Sequence, residues 1–331
     1  MPNLKRTKGQ ISSSYKGCSG IVGAPRLLSL VSLLLITINL TLQRLLSWHP
    51  SYIATELIFG LIAVFMPFVA AYLYNTFGSL SSTLKNFLDL PNDEFEQWFN
   101  TQTQLIFSSK WIYIVAVIFG SVGALTVSTL GFPWLGLAHT AFIIFSVNLF
   151  ALTGAVTWNY FGVLVFLERL GNFEIKESVF EWHEKDLRQL NQTFLKLFIP
   201  GVFNYIGSVA AVWLIPGERR LTLYGSFGQF WIFPFAIAII TFFLAGQYLI
   251  HQLMAKSKQN RLEQLNKTLQ GFYDKWSAAP SSDTAESITK LIEWRKHIQG
   301  ELDWPLDFKT YFGVITGLLL PTVKSVLDLL R

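Results

Sequence analysis

Seven stretches of the chain are apolar over about one membrane thickness: 27–47, 53–76, 111–131, 137–167, 197–215, 229–253 and 310–330. At ~1.5 Å per residue a helix needs about 20 residues to cross a hydrocarbon core of about 30 Å. Each stretch is therefore read as a membrane-embedded helix. The fourth is longer than a span needs and is expected to leave the bilayer as helix towards Glu168 and Arg169. The sixth is expected to run on past Met254. The expected fold is all-α, a polytopic helical membrane bundle of about seven spans. It divides into a basic arm (1–26), a six-span bundle with short outer loops (27–254), a cytoplasmic helical hairpin (255–309) and a terminal membrane-embedded helix (310–331).

Between the apolar runs the pattern changes period. Leu262, Leu265, Leu269, Phe272 and Trp276 recur at steps of three and four, a narrow helical seam of the coiled-coil type. AAPSSDTAES interrupts it, with Ser282 or Asp283 as the expected N-cap. Ile288, Leu291, Ile292, Ile298 and Leu302 then share one face of a second helix. Two helices joined so closely read as an antiparallel hairpin, whose seam closes on itself or also pairs with another subunit or a partner through 255–303. Residues 79–110 and 170–196 mix large apolar residues with charges. They read as helices at the membrane interface or as segments packed inward on the bundle.

Inside the spans the informative positions are small or polar. Ala116, Gly120, Ala124 and Ser128 recur every four residues in the third run, and Gly313, Gly317, Pro321 and Ser325 do so in the last. Small residues at this spacing let helices approach closely. The last run also carries Lys324 and Asp328, four residues apart and able to pair. It reads as a seventh span, with a re-entrant or interfacial helix as the alternative. In the fourth run His139, Ser146, Thr153 and Thr157 share a helix face, and Asn148 and Asn159 lie near a second stripe. This polar stripe reads either as a water-lined path or ligand site, or as hydrogen bonding between helices. No Asp, Glu, Lys or Arg is read as deep in spans one to six.

Charge sets the expected orientation. Only 14% of residues are charged, against about 25% in soluble domains, and the net charge is +5. The arm 1–26, the loop after the fourth run and 255–309 carry 19 of the 26 Lys and Arg, whereas in the opposite loops only Arg219 and Arg220 sit clearly. Positive charge stays inside, so the N-terminus is expected in the cytoplasm, in a prokaryotic inner (plasma) membrane. The first run is followed by no small-residue cleavage site and reads as an uncleaved anchor. The acid-free stretch 1–55 also resembles an organelle transit peptide.

Candidate chemistry is sparse. One cysteine, Cys18, allows no intrachain disulfide, and the five histidines form no metal-ligand motif. We find no phosphate loop, nucleophile elbow or cofactor motif, and expect no catalytic residue, metal or cofactor. Basic residues are too dispersed for nucleic acid. The expected partners are the lipid bilayer and either further copies of the chain or a cytoplasmic protein.

Two stretches, IHQLMAKSKQNRLEQLNKTL (250–269) and WPLDFKTYFGVITGLLLPTVKSVLDLL (304–330), resemble a loose group of uncharacterised prokaryotic integral membrane proteins. His251, Met254, Lys258, Trp304, Pro305, Asp307 and Pro321 carry the resemblance. It covers the last quarter of the chain and implies architecture only. The functional expectation is a non-enzymatic scaffold or regulatory membrane assembly. The alternative is a channel or membrane-perturbing effector gated by the hairpin, ahead of a solute transporter.

Overall fold

The computed structural model describes residues 25–45, 50–129, 137–173, 184–213 and 223–301, with 304, 310, 312–317 and 320. The arm 1–24, Cys18, Arg219, Arg220, Leu302, Pro305, Asp307, Pro321, Lys324, Ser325 and Asp328 lie outside them, as does most of the expected seventh span. Among the described residues there are helices and no strand. They are α1 (Pro25–Leu45), α2 (Pro50–Gly78), α3 (Leu80–Phe87), α4 (Asn92–Ile106), α5 (Ser109–Thr129), α6 (Leu137–Leu170), α7 (Glu184–Trp213), α8 (Leu223–Ala278) and α9 (Ser282–Gly300). Six stretches of helix are long and apolar enough to cross a membrane. The chain is a multi-pass helical membrane protein.

Its helices show why lipid is the solvent. α2 and α6 are apolar nearly all round, which suits a buried or membrane-spanning helix. Outward positions such as Leu27, Val117 and Phe203 are large, apolar and exposed. Lipid tails are as apolar as these side chains, so interior contacts must come from shape and hydrogen bonds rather than from escape from water. α2 and α6 lie centrally: α2 packs on α1, α6 and α7, while α6 packs on α1, α2, α5 and α8.

The α5–α6 contact is the most extensive among the described residues. Its glycines explain the close fit. A Cβ on Gly123 would stand 2.8 Å from the Phe150 ring, and one on Gly154 would stand 2.7 Å from Phe119. Each helix therefore lends a glycine notch to a phenylalanine of the other. Gly120, on the small-residue stripe, is looser, since its added Cβ would meet Val147 at 3.4 Å. The closest approach thus falls beside that stripe. At Gly313 and Gly317 an added Cβ would meet nothing within 4 Å, so no described residue packs tightly on that second stripe.

Residues 79–110 pack inward. Leu84, Leu88, Phe95 and Phe99 are buried in the main core. Phe77 stacks on Phe99 at 5.4 Å and meets Phe166 edge-on at 4.7 Å, and Trp98 stacks on Phe166 at 5.4 Å. These rings seal α3 and α4 onto one end of the bundle. Part of the other expected interface segment is not separate at all: 184–196 is the start of α7, and the helix continues through Pro200. Leu190, Phe194 and Leu197 bury one face of it.

α8 is a single helix of 56 residues, about 84 Å at 1.5 Å per residue. Its second half turns back into α9 to form the hairpin. Leu265, Leu269, Ile288, Leu291 and Ile298 form a small core of their own, flanked by Leu262, Phe272 and Ile292. Trp276 departs from the expected seam: it is 41% exposed and stands outside that core. The N-cap is Ser281, rather than Ser282 or Asp283. Its Oγ accepts from the Thr284 N–H at 3.2 Å.

Candidate functional site

The polar face of α6 opens onto a cleft of about 290 Å³ between α2, α6, α7 and α8. Met66 and Val69 come from α2, and Thr153, Val156, Thr157, Tyr160, Phe161 and Leu164 from α6. Phe198, Pro200, Gly201 and Asn204 come from α7, and Phe235, Ala238, Ile239, Thr241 and Phe242 from α8. The rim residue Phe161 is 56% exposed, so the cleft opens sideways onto the lipid-facing surface. Pro200 shapes one wall, since proline inside a helix removes an N–H and displaces the preceding turn.

The threonines spend their protons locally. Thr153 Oγ1 donates to Leu149 O at 2.9 Å, and Thr157 Oγ1 donates to Thr153 O at 2.8 Å. Their oxygens keep acceptor capacity. The next turn differs. Trp158 Nε1, both amide atoms of Asn159 and Tyr160 Oη are buried without a hydrogen bond among the described residues. Asn159 is 1% exposed. A buried polar atom without a partner costs about 1–3 kcal/mol, so three neighbours in one turn form an unusual concentration. Tyr160 meets Phe242 edge-on at 4.8 Å, and its Oη lies close to Gly201 without finding an acceptor for its proton among the described residues.

The remaining residues of the polar stripe divide. Ser146 is buried, while the side chain of His139 lies outside the described residues. Asn148 does not reach the cleft; its Nδ2 donates to Ser32 Oγ on α1 at 3.0 Å. Asn204 lines the cleft, whereas Gln247 donates to Asn191 Oδ1 at 3.0 Å and ties α8 to α7.

A second cluster holds a buried carboxyl near the start of the second apolar run rather than deep within it. Glu56, one turn inside the second apolar run, is 2% exposed and accepts a short hydrogen bond from Asn39 Nδ2 across α1 and α2. Beside it Thr55 Oγ1 donates to Ala211 O on α7 at 3.0 Å. The run 53–76 masks Glu56 by its high mean hydropathy, and only the packing of α1 reveals its partner.

At the opposite end, α8 holds the hairpin to the bundle. Lys256 Nζ donates to the carbonyls of Gly171 and Phe173 at 3.0 and 3.1 Å, just beyond the end of α6. Lys258 Nζ donates to Gln299 O and Glu301 O at 3.0 and 2.9 Å, at the end of α9. Cations suit helix C-termini, where carbonyls lack partners. Arg261 closes the junction with both terminal nitrogens on the Glu301 carboxylate, at 2.5 and 3.4 Å, with each side chain 12% exposed. His251 stacks flat on Trp304 at 4.1 Å. Farther out, Lys290 holds the Glu286 carboxyl below its usual range by hydrogen bonding to it.

No group of three His, Cys, Asp or Glu among the described residues is placed to hold a metal ion. Compared with known proteins, the chain matches no family model, no curated sequence and no solved structure.

Proposed function

We propose that this multi-pass protein is a non-enzymatic regulatory or scaffold assembly of a prokaryotic inner membrane. Its N-terminus and the α8–α9 hairpin face the cytoplasm, and the hairpin engages a cytoplasmic protein or a second copy of the chain. The observation that carries this reading is the continuity of α8. One helix supplies a wall of the membrane cleft through Phe235 and Phe242 and one arm of the hairpin through Leu265 and Leu269. The junction between the two halves is held by Lys256, Lys258 and Arg261. A force on the hairpin therefore reaches the cleft through a rigid rod. Tyr273 and Trp276 leave aromatic surface exposed near the turn, and aromatic residues are enriched in protein interfaces.

Six crossings return the chain to the side on which it started, so the hairpin shares a side with the basic arm. Lys and Arg concentrate in both. The resemblance carried by His251, Lys258 and Trp304 agrees with an architecture in which the last span passes into a clasped hairpin. The second reading is a channel or membrane-perturbing effector gated by the hairpin, favoured by the threonines that face the cleft opposite α8.

A photoreactive amino acid at Trp276 in living cells tests the first reading. The expected result is a discrete cross-linked species, either a dimer or a defined partner, that disappears when the probe is moved to Ser82, an exposed position on α3. Absence of any such species overturns it. Ion and dye flux in liposomes tests the second. Flux that is lost in Thr153→Leu supports a conducting path along α6, and the absence of flux favours the scaffold.

A further inference from the structure

We propose that the cleft holds one glycerophospholipid of the leaflet on the hairpin side, with an acyl chain between α6, α7 and α8, an ester carbonyl at Tyr160 and the phosphate at Lys196. Depth comes from contacts between helices. Trp158 stacks on Trp111 at 5.6 Å, and a Cβ on Gly162 would stand 2.9 Å from Ile106. Trp111 opens the third apolar run, Lys110 Nζ sits over its ring at 5.9 Å, and Ile106 is the last residue of α4. Tyr160 lies between Trp158 and Gly162 on α6, so it stands level with the start of that run. Tryptophan is enriched where hydrocarbon gives way to headgroups. α7 agrees, since Lys196 is only five residues, about 7.5 Å, from Gly201, against which Tyr160 Oη lies. Glycerol esters sit at this boundary, outside a hydrocarbon core of about 30 Å and inside a bilayer of about 40–45 Å.

Chemistry then selects the occupant. From Tyr160 the cleft runs inward to Thr153, seven residues and about 10 Å along α6. Met66, Val156, Phe235, Ile239 and Phe242 make this part apolar, and the exposed Phe161 leaves its side open to lipid. Such a lining suits an acyl chain. Thr153 and Thr157 have committed their hydroxyl protons to backbone carbonyls. Tyr160 Oη is buried without an acceptor among the described residues, and a buried donor favours an occupant that brings one. Lys196 is exposed and shares a face of α7 with the cleft residue Pro200, one turn on. It stands on the water side of Tyr160, as a phosphate stands on the water side of its glycerol esters, and its ammonium complements that charge. A lipid without a phosphate uses the tyrosine alone. The assignment does not depend on which side of the membrane the hairpin faces.

The test uses the full-length protein in maltoside micelles and a phosphatidylglycerol with a mid-chain diazirine. Three untagged lipids with equal chains compete: diacyl phosphatidylglycerol, its dialkyl ether analogue, which lacks the carbonyls, and a diacylglycerol, which lacks the phosphate. The expected result is saturable labelling of peptides from 153–164 or 235–242. The ether lipid and the diacylglycerol should each compete about fivefold more weakly than the diester phospholipid, the effect of one lost polar contact. Tyr160→Phe should abolish the difference between ester and ether and keep the preference for phosphate, and Lys196→Gln should do the reverse. A role in folding alone would produce neither pattern. Ala238→Trp, at an exposed position lining the cleft, should fill it and abolish labelling while the protein elutes like wild type, and it serves as the test if Tyr160→Phe fails to fold. Equal competition by all three lipids would overturn the proposal and assign the cleft to bulk acyl chains. A diacylglycerol as strong as the phospholipid would overturn the phosphate site, and absence of saturable labelling on these helices would overturn the whole.

Discussion

Gly123 and Gly120 stand one turn apart on α5, yet they carry different weights. Gly123 receives the ring of Phe150, while Gly120 has room for a methyl group beside Val147. Gly120→Ala should therefore be tolerated, with the helix-propensity gain of alanine, about 1 kcal/mol, offsetting slight crowding. Gly123→Ala forces an aromatic ring aside and should destabilise by about 1–3 kcal/mol. Thermal unfolding in nanodiscs separates the two; equal effects would contradict the notch. At Glu56 the relevant interaction is a buried polar pair. Asn39→Leu leaves the Glu56 carboxyl without the Asn39 amide and should cost about 1–3 kcal/mol. If Asn39→Leu unfolds like wild type, the short contact between α1 and α2 is not a stabilising bond. At both positions residue type alone is uninformative, because glycines and asparagines recur through these apolar helices and only the facing helix determines which of them is indispensable.

Among the elements, α8 changes surroundings twice along its length without changing conformation. It leaves the membrane, meets the end of α6 through Lys256, and then pairs with α9. Counting Lys256, Lys258 and Arg261 as loop charges supports the proposed orientation but overlooks their local partners, which are carbonyls and a carboxylate. Arg261→Leu leaves Glu301 largely buried without its cation, at a cost of about 1–3 kcal/mol. The hairpin core of five buried residues is small, so this loss should appear first as faster hydrogen–deuterium exchange in 282–300. Unchanged exchange there would show that the hairpin stands without the junction. Hairpin, seam and continued sixth helix were legible from periodicity. The cap position was not, because Ser281, Ser282 and Asp283 are all good caps and the backbone geometry chooses Ser281.

For the whole molecule, six helices are long and apolar enough to cross a membrane, and the proposed topology puts the arm and the hairpin on one side. A single thiol reports which side that is. In a Cys18→Ser background, Ser282→Cys puts the probe at the exposed start of α9. An impermeant maleimide should label it only after the cells are opened, and labelling of intact cells would reverse the proposed orientation. Length and hydropathy by themselves determined the class of fold, six of the crossings and the hairpin, since the energy of a polar backbone in hydrocarbon leaves few alternatives to a helix. They also pointed to α6 as the helix richest in polar side chains. Tertiary structure alone decided what those side chains do. It turned Asn148 towards Ser32, left Tyr160 at a cleft with Gly201, and buried Glu56 against Asn39. It also folded α3 and α4 onto the bundle end. These outcomes depend on which helices become neighbours, and in lipid that choice rests on shape and hydrogen bonds between distant residues, which no local pattern of apolar and polar positions encodes.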